Sequence, residues 1–145
     1  MKTFLVSACL LGLPCKYNGG DNRCPQVLAL RDKLHMIPVC PEQLGGLPTP
    51  RPPAERQGTA VITREGLDVT AAFQQGARAA LSLARLFHCT GAVLKSRSPS
   101  CGVGEIYDGT FSGTVIPGDG VTAQLLRDAG LALYTENFLP DADTL

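Results

Sequence analysis

The chain has 145 residues, 44% of them hydrophobic, and its 13 basic and 13 acidic residues give a formal net charge of zero. This length suits one domain with one continuous core, spanning residues 1–145, and leaves no room for a second independent domain. The charges are scattered rather than grouped in runs, so we expect no polyanion-binding face and no long nucleic acid as a partner.

The amino-terminal segment carries a lysine, an apolar run and Cys9, and it looks like a lipoprotein cleavage box. A secretory signal needs roughly 7–15 apolar residues before the cleavage site, and far fewer precede Cys9. No run approaches the roughly 18 apolar residues of a membrane span. We therefore expect a cytoplasmic protein without membrane contact. In that reducing compartment six cysteines, none of them in a C-x-x-C pair, do not predict a disulfide framework.

The elements predicted in the first half of the chain are short. Thr3 to Ala8 and Met36 to Cys40 are continuous apolar runs, which are typical of buried parallel strands. Between them, Pro25 can open a helix that has an apolar face. A stiff, proline-rich loop is predicted at Leu47 to Pro53, and Gly58 to Arg64 is a candidate extra strand.

The strongest helical pattern covers about Asp68 to Phe87, where apolar residues recur at helical spacing behind a cap at Asp68 or Thr70. This helix leads directly into a predicted strand at Gly91 to Lys95. The first βαβ unit lies earlier in the chain, where the two short apolar runs flank the helix opened at Pro25.

The last predicted helix spans roughly Val121 to Ala129, with Asp119 placed to cap it and Gly130 to end it. It precedes a final strand at Leu131 to Thr135. Alternation of strands and helices implies an α/β fold with a mostly parallel sheet and helices on both faces. The predicted architecture is a Rossmann-like three-layer sandwich.

Three cysteines fall at the carboxyl ends of predicted strands. Cys9 lies just past the first strand, Cys40 ends the second, and Cys101 sits in the loop after the third. In an open parallel sheet, this edge is where loops converge and ligands bind. Turn-forming residues surround each cysteine, which favours irregular loops whose backbone amides can point inward and stabilise thiolates. The sequence therefore predicts a cluster of three thiols.

The other cysteines and the two histidines have weaker positions. Cys15 and Cys24 belong to the long loop after the first strand, and Cys15 is the reserve ligand. Cys89 precedes its strand, so we expect it at the opposite edge as a small apolar core residue. His35 and His88 lie near amino ends of strands and are expected on the surface.

Three thiolates without a local histidine ligand suit a cubane iron-sulfur cluster with one open iron better than structural zinc, which needs four closed ligands. An open iron is a Lewis acid with affinity for sulfur, so it could bind a thione or thiol substrate. A binding or sensing module, in which an iron-sulfur cluster or zinc only shapes a loop, is the alternative. A metal-free cysteine hydrolase is a further rival, but no histidine is predicted near the thiols to generate a thiolate.

Five sequence segments resemble those of the thiouracil desulfidases, a family of small bacterial and archaeal iron-sulfur proteins formerly classed as a domain of unknown function. The resemblance runs from Thr3 to about Asn137. The matching segments are SACLLG at 7–12, CKYNG at 15–19, VCPE at 39–42, GGLPTPR at 45–51 and LKSRSPSCG at 94–102.

The resemblance implies a [4Fe-4S] cluster held by Cys9, Cys40 and Cys101, with the fourth iron free to take the sulfur of a thiolated pyrimidine such as 4-thiouracil. It also implies a hydrolytic, non-redox desulfuration that releases sulfide. In this chemistry Glu42 would be the general acid/base, and Ser98 would orient the substrate or relay a proton.

The residues themselves leave three points open. Ser98 and Ser100 are not separated, because hydroxyls beside proline and glycine commonly serve turns. Lys95 and Arg51 could offset the negative charge of the cluster, hold a pyrimidine carbonyl, or be solvated surface charges. The substrate could be a free base, a nucleoside or a nucleotide in RNA, and the oligomeric state is not readable from the sequence.

Overall fold

The computed structural model describes residues 1–145, apart from the side chain of residue 142. Short 3-10 turns at Ala8–Leu11 and Ala29–Asp32 accompany the strands and helices. In chain order the strands and helices are β1 (Thr3–Ser7), α1 (Pro25–Leu28), β2 (His35–Val39), α2 (Pro41–Leu44), β3 (Ala54–Gln57), β4 (Ala60–Thr63), α3 (Thr70–Leu86), β5 (Gly91–Leu94), β6 (Glu105–Tyr107), β7 (Val115–Pro117), α4 (Val121–Asp128) and β8 (Ala132–Thr135).

The central sheet has four strands in the order β2-β1-β5-β8, and every neighbouring pair is parallel. Strand β1 pairs with β2 on one side and with β5 on the other. The strands that follow β1 in the chain are therefore added first on one side of it and then on the opposite side. At such a switch point the loops after the two central strands diverge and leave a crevice at the carboxyl edge. The predicted parallel sheet is confirmed.

Both faces of the sheet are covered. Successive residues of a strand point to opposite faces, and Leu5 and Val6 accordingly belong to different core clusters. Leu5 packs with Ala80 of α3 on one face, whereas Val6 packs with Val27 of α1 and with Leu34 on the other. The prediction of an α/β fold with helices on both faces is confirmed, although only short helical segments cover the second face.

Helix α3 forms where the apolar spacing predicted it, and its buried residues include Phe73, Ala77 and Leu81. Its predicted cap is wrong. The capping residue is Val69, which provides no side-chain hydrogen bond. Asp68 instead accepts the backbone N–H of Thr70 at 2.8 Å, a local turn that competes with capping.

Helix α4 also begins without the predicted cap. Gly120 occupies the capping position, and the carboxylate of Asp119 accepts from the backbone N–H of Gly104 and from the Arg127 guanidinium instead. The predicted end of the helix is confirmed, because Gly130 follows the last turn in the left-handed region with φ 92°.

Two antiparallel hairpins stand outside the central sheet. Strands β3 and β4 form the first, and β4 confirms the candidate strand at Gly58 to Arg64. Strands β6 and β7 form the second, which the sequence did not predict. Among the described residues, no helix is long and apolar enough to cross a membrane.

Helix α2 packs against α3 with almost no space between their backbones. A Cβ atom at Gly76 of α3 would collide with the carbonyl oxygen of Pro41, and one at Gly45 would collide with the carbonyl oxygen of Ala72. Only glycine permits this approach. The contact fixes α2, and with it Glu42 in its first turn and Cys40 just before it, on the longest helix of the protein.

Candidate functional site

A cavity of about 720 Å³ opens at the carboxyl edge of the central sheet, where the loops after β1, β2 and β5 meet. The two hairpins contribute part of its wall. Every residue that the sequence singled out as a site residue lines this cavity, and the reserve ligand does so too. These residues are Cys9, Cys15, Cys40, Cys101, Glu42 and Ser98.

Cys9, Cys40 and Cys101 are close enough to influence one another electrically. Burial raises the pKa of Cys101 to about 12, and repulsion from Cys9 and Cys40 adds to the rise. Burial also raises the pKa of Cys9, with a further contribution from Cys40. The three thiols are therefore mutual neighbours, and the raised pKa values keep Cys9 and Cys101 protonated near neutral pH unless a cation stabilises their thiolates.

Cys15 joins this group as a fourth thiol. Burial raises its pKa to about 12, and both Cys40 and Cys9 contribute to the rise. The thiol of Cys40 donates to the backbone carbonyl of Cys15 at 3.7 Å. Cys15 thus lies beside two of the three predicted ligands, and it keeps its place as the reserve ligand.

The remaining cysteines lie elsewhere. The thiol of Cys24 donates to Gln26, and Cys24 is not part of the cavity wall described here. Cys89 packs against the hydrophobic core on the side of α3 and α4, and burial raises its pKa. Both histidines, His35 and His88, are exposed.

The spacing of the thiols bears on the kind of metal they could hold. Among the described residues, no three His, Cys, Asp or Glu side chains are arranged to hold a single metal ion. Zinc requires its ligands around one atom, whereas the thiolates of a cubane bind different irons and stand farther apart.

Glu42 lies in the first turn of α2, two residues after Cys40. Its Oε1 atom accepts the Nε–H of Arg51 at 3.0 Å. No residue in the described structure donates to the other oxygen, Oε2, and 19% of the side chain stays exposed. Repulsion from Glu42 contributes to the raised pKa of Cys101, so this carboxylate lies next to the thiols.

Arg51 is buried beneath this carboxylate, with 4% of its side chain exposed. Besides Glu42, its N–H groups donate to the Pro48 carbonyl, the Thr49 hydroxyl, the Cys15 carbonyl and the Cys40 sulfur. A guanidinium has five N–H donors, so none is left for a substrate. Of the roles considered for Arg51, a solvated surface charge is wrong, and compensation of negative charge fits its contacts. The same contacts also hold Glu42 in position, a role that the sequence did not suggest.

The two serines before Cys101 separate clearly. The Ser98 hydroxyl oxygen accepts the backbone N–H groups of Ser100 and Cys101 at 3.1 and 3.0 Å, and Ser98 lines the cavity. Ser100 is buried and shares a 2.8 Å hydrogen bond with the Thr122 hydroxyl. Only Ser98 is in a position to meet a substrate.

A second ion pair lines the cavity near the end of β5. Lys95 Nζ lies 2.9 Å from Glu136 Oε2, which also accepts the Ser96 hydroxyl. The other oxygen of Glu136 accepts the Ser96 backbone N–H at 2.8 Å. Burial alone would raise the pKa of Glu136, but the Lys95 ammonium and the Ser96 amide outweigh it and hold this pKa below its usual range.

Sequence reasoning did not single out Ser7 and Glu136, which also line the cavity. Ser7 is buried at the end of β1, where its oxygen accepts the Lys95 backbone N–H. Its hydroxyl also lies beside Cys101 and opposes the rise in the pKa of that thiol. Glu136 directly follows β8. Both stand at carboxyl ends of strands, so the rule that located the cysteines could have found them.

Comparisons with known proteins decide the family. A model of the 2-thiouracil desulfurase family matches residues 4–137. The chain belongs to this family. The uncharacterized protein YbbK of Bacillus subtilis (strain 168) is 44% identical over 147 residues, which cover 94% of this chain and 97% of that protein.

A solved structure extends the relation to the whole fold. The [4Fe-4S]-dependent thiouracil desulfidase TudS (DUF523Vcz) is 46% identical to the chain and superposes with a TM-score of 0.93. The alignment covers 99% of this chain and 97% of that one. The resemblance to thiouracil desulfidases that the sequence motifs indicated is confirmed, and this 2-thiouracil desulfurase family member shares the fold of TudS.

Proposed function

We propose that the chain, acting as one domain, removes sulfur by hydrolysis from a thiolated pyrimidine such as 4-thiouracil and releases it as sulfide. The proposal assigns a [4Fe-4S] cluster to Cys9, Cys40 and Cys101, general acid/base chemistry to Glu42, and substrate orientation or proton relay to Ser98. The observation that carries it is that three neighbouring thiols share one cavity with the carboxylate of Glu42, which accepts a hydrogen bond on one of its two oxygens.

The residues on the cavity wall fit such a cluster. The available soft ligands are thiols, and Cys9, Cys40 and Cys101 are mutual neighbours. Hydrogen-bond donors adjoin several sulfurs, with Ser7 at Cys101, Asn22 at Cys9 and Arg51 at Cys40. Donors of this kind stabilise thiolate ligands and balance the negative charge of a cluster.

When bound, the cluster would supply a Lewis acid that draws electron density from the carbon-sulfur bond. Glu42 would take a proton from water through its free oxygen, so that the water oxygen can attack the same carbon. The carbon-oxygen bond forms, the carbon-sulfur bond breaks, and Glu42 passes the two protons of the water, one after the other, to the departing sulfur. Water and thione become carbonyl and hydrogen sulfide, without net electron transfer.

Ser98 is arranged to donate into the cavity. Its oxygen already accepts two backbone N–H groups, so its own hydrogen is the group that can reach outward. This hydrogen can bond to a pyrimidine atom or pass a proton. Arg51 holds Glu42 in place through Nε and adds a positive charge beside Cys40.

The partner that we propose is a small thiolated pyrimidine, and the compartment is the cytoplasm. A formal net charge of zero gives no general attraction for long polyanions. The cavity volume of about 720 Å³ is in the range of small-molecule sites.

The test is an anaerobic iron and sulfide analysis, followed by incubation with 4-thiouracil and an assay for released sulfide. We expect bound iron and inorganic sulfide, and the release of sulfide without an added reductant. Cys9→Ala, Cys40→Ala and Cys101→Ala should each lose the cluster, whereas Cys15→Ala and the more remote Cys24→Ala should keep it.

Two other results would change the proposal. If Cys15→Ala lost the cluster while one of the other three variants kept it, the function would stand with a different ligand set. A cluster that binds stably but releases no sulfide from thiolated pyrimidines would favour the binding or sensing module instead.

A further inference from the structure

The loop between β6 and β7 places Phe111 on the cavity wall. Its backbone has φ 57°, in the left-handed region that residues other than glycine rarely adopt. A bulky residue keeps such a conformation only where its surroundings hold it, and such residues concentrate at functional sites. The contacts of this loop with the rest of the protein therefore hold Phe111 in its strained backbone conformation.

Three hydrogen bonds from β3 hold the loop. Glu55 is buried, and its Oε1 atom accepts the backbone N–H groups of Gly109 and Phe111, each at 3.0 Å. The side chain of Gln57 donates to the Gly109 carbonyl at 2.9 Å. These bonds tie the second hairpin to the first, and they fix the backbone on both sides of residue 110.

The ring of Phe111 is oriented from one side by a cation. The Arg64 guanidinium, just past β4, lies 5.4 Å from the ring centroid, within the range of a cation–π contact. Arg64 and Phe111 both line the cavity, and Phe111 is only half-buried. Part of the ring surface is therefore available to a ligand.

We propose that Phe111 is a substrate-binding residue whose ring packs against the flat face of the pyrimidine, and that Glu55 is the residue that positions it. The inference rests on the proposed function, because it assumes a thiolated pyrimidine in this cavity. The residues near the thiols offer polar contacts to a few atoms of such a ligand. A flat aromatic face supplies the contact area that a planar ring needs, because aromatic rings and bases stack favourably.

The first test compares Phe111→Leu with the wild-type protein, using anaerobically prepared, cluster-loaded enzyme and 4-thiouracil. Leucine meets the same backbone strain as phenylalanine and keeps an apolar side chain, but it lacks a flat face. We expect KM to rise roughly five- to thirtyfold, as the loss of a base–aromatic contact predicts, with little change in kcat. Phe138→Leu is the matched control, because Phe138 is 68% exposed and is not part of the described cavity wall.

The second test measures binding without turnover. The chain contains no tryptophan, so Phe111→Trp gives the protein a single indole, which keeps a flat ring at this position. Titration with uracil should change its emission saturably. The same titration of Phe138→Trp should leave the emission unchanged.

The role of Glu55 is tested by a pair of variants. Glu55→Gln keeps an oxygen that can accept both N–H groups, so KM should stay near the wild-type value. Glu55→Ala removes that oxygen, and KM should rise as in Phe111→Leu while kcat changes little. If the role of Glu55 were purely structural, the two variants would lose thermal stability, but KM would not rise separately from kcat in Glu55→Ala.

The results distinguish this inference from the proposed function. The inference alone would be overturned if the wild-type enzyme were active but KM were unchanged in Phe111→Leu. It would also be overturned if the wild-type enzyme were active but the tryptophan emission of Phe111→Trp did not change on addition of uracil. A wild-type protein that releases no sulfide would overturn the proposed function, and a uracil-sensitive emission of Phe111→Trp would still support Phe111 as a pyrimidine contact.

Discussion

The Glu42–Arg51 and Glu136–Lys95 ion pairs both line the cavity, but their carboxylates differ in how many hydrogen bonds they accept. Glu136 accepts bonds on both oxygens, from Lys95 and from the amide and hydroxyl of Ser96. Glu42 accepts one bond, on Oε1, among the residues described. A carboxylate that is saturated with donors holds its neighbours in place, whereas one with a free oxygen can exchange a proton.

The cations of the two pairs explain this difference. Arg51 is buried and spends its other N–H groups on backbone carbonyls, Thr49 and Cys40, so Glu42 receives only Nε. Lys95 is more exposed and joins Ser96 around the same carboxylate. We therefore assign proton transfer to the first pair and positioning of the loop after β5 to the second.

The largest expected effect is that of Glu42→Gln. The change keeps the size of the side chain and its contact with Arg51, but it removes the group that accepts a proton. Sulfide release should fall at least about 100-fold, as is typical for the loss of a general acid/base. Iron and sulfide content should stay near the wild-type values. Loss of the cluster in this variant would instead make Glu42 a structural residue.

Arg51→Lys should have the next largest effect. An ammonium keeps the positive charge but offers fewer donors and lacks the planar fork. Some of the groups that Arg51 now satisfies would lose their partner, so the free energy of unfolding should fall by about 2 kcal/mol. Displacement of Glu42 should lower sulfide release roughly tenfold. Denaturant unfolding and kinetics together measure both effects, and wild-type behaviour would contradict the positioning role.

Glu136→Gln is the matched control for Glu42→Gln. The amide oxygen can still accept bonds from Lys95 or Ser96, but the charge and one of the two acceptor oxygens are lost. Because the pair is partly exposed, we expect a loss of stability of about 1 kcal/mol and a change in sulfide release of less than about fivefold. If Glu136→Gln abolished activity as completely as Glu42→Gln, saturation with hydrogen bonds would not separate the two roles.

The smallest effect on activity is expected at Asp119, whose ion pair with Arg127 lies outside the cavity described above. The hydrogen bond from Arg127 is the main cause that lowers the pKa of Asp119, and the Gly104 amide adds to it. A lowered folded-state pKa means that the pair contributes stability above the unfolded-state pKa, and that this contribution is lost as the pH falls through the folded-state pKa.

Asp119→Asn should therefore lower the free energy of unfolding by about 1 kcal/mol at neutral pH and leave sulfide release unchanged. The difference from the wild type should shrink below about pH 4, where the wild-type carboxylate also becomes protonated. Urea unfolding at a series of pH values checks this. A difference that stays constant down to pH 2 would contradict the assignment of the stability to the ionised carboxylate.

The central sheet was predictable because its two central strands, β1 and β5, are buried on both faces and read as continuous apolar runs. The position of Cys9, Cys40 and Cys101 followed from the same runs, since each cysteine comes directly after a strand or in the loop beyond it. The α/β architecture and the family resemblance are confirmed. The assignment of these three thiols as ligands remains a prediction.

What the sequence did not reveal depends on long-range contacts. Strand β6 has three residues and a single buried one, Ile106, so it carries no readable pattern. Asp119 has the residue type of a cap, but its partners are Gly104 and Arg127, which no local pattern indicates. Whether Arg51 is a surface charge or a buried anchor likewise depends on groups far apart in the chain.

The close approach of α2 to α3 means that the chemistry of the cavity can be disturbed from behind it. At Gly76 a methyl group would push on the backbone of Pro41, which lies between Cys40 and Glu42. A clash between a side chain and a backbone carbonyl cannot be relieved by choosing another rotamer, so both neighbours would have to move together. Substitutions should therefore be tolerated far less at Gly76, although it lies outside the cavity, than at many residues that line the cavity.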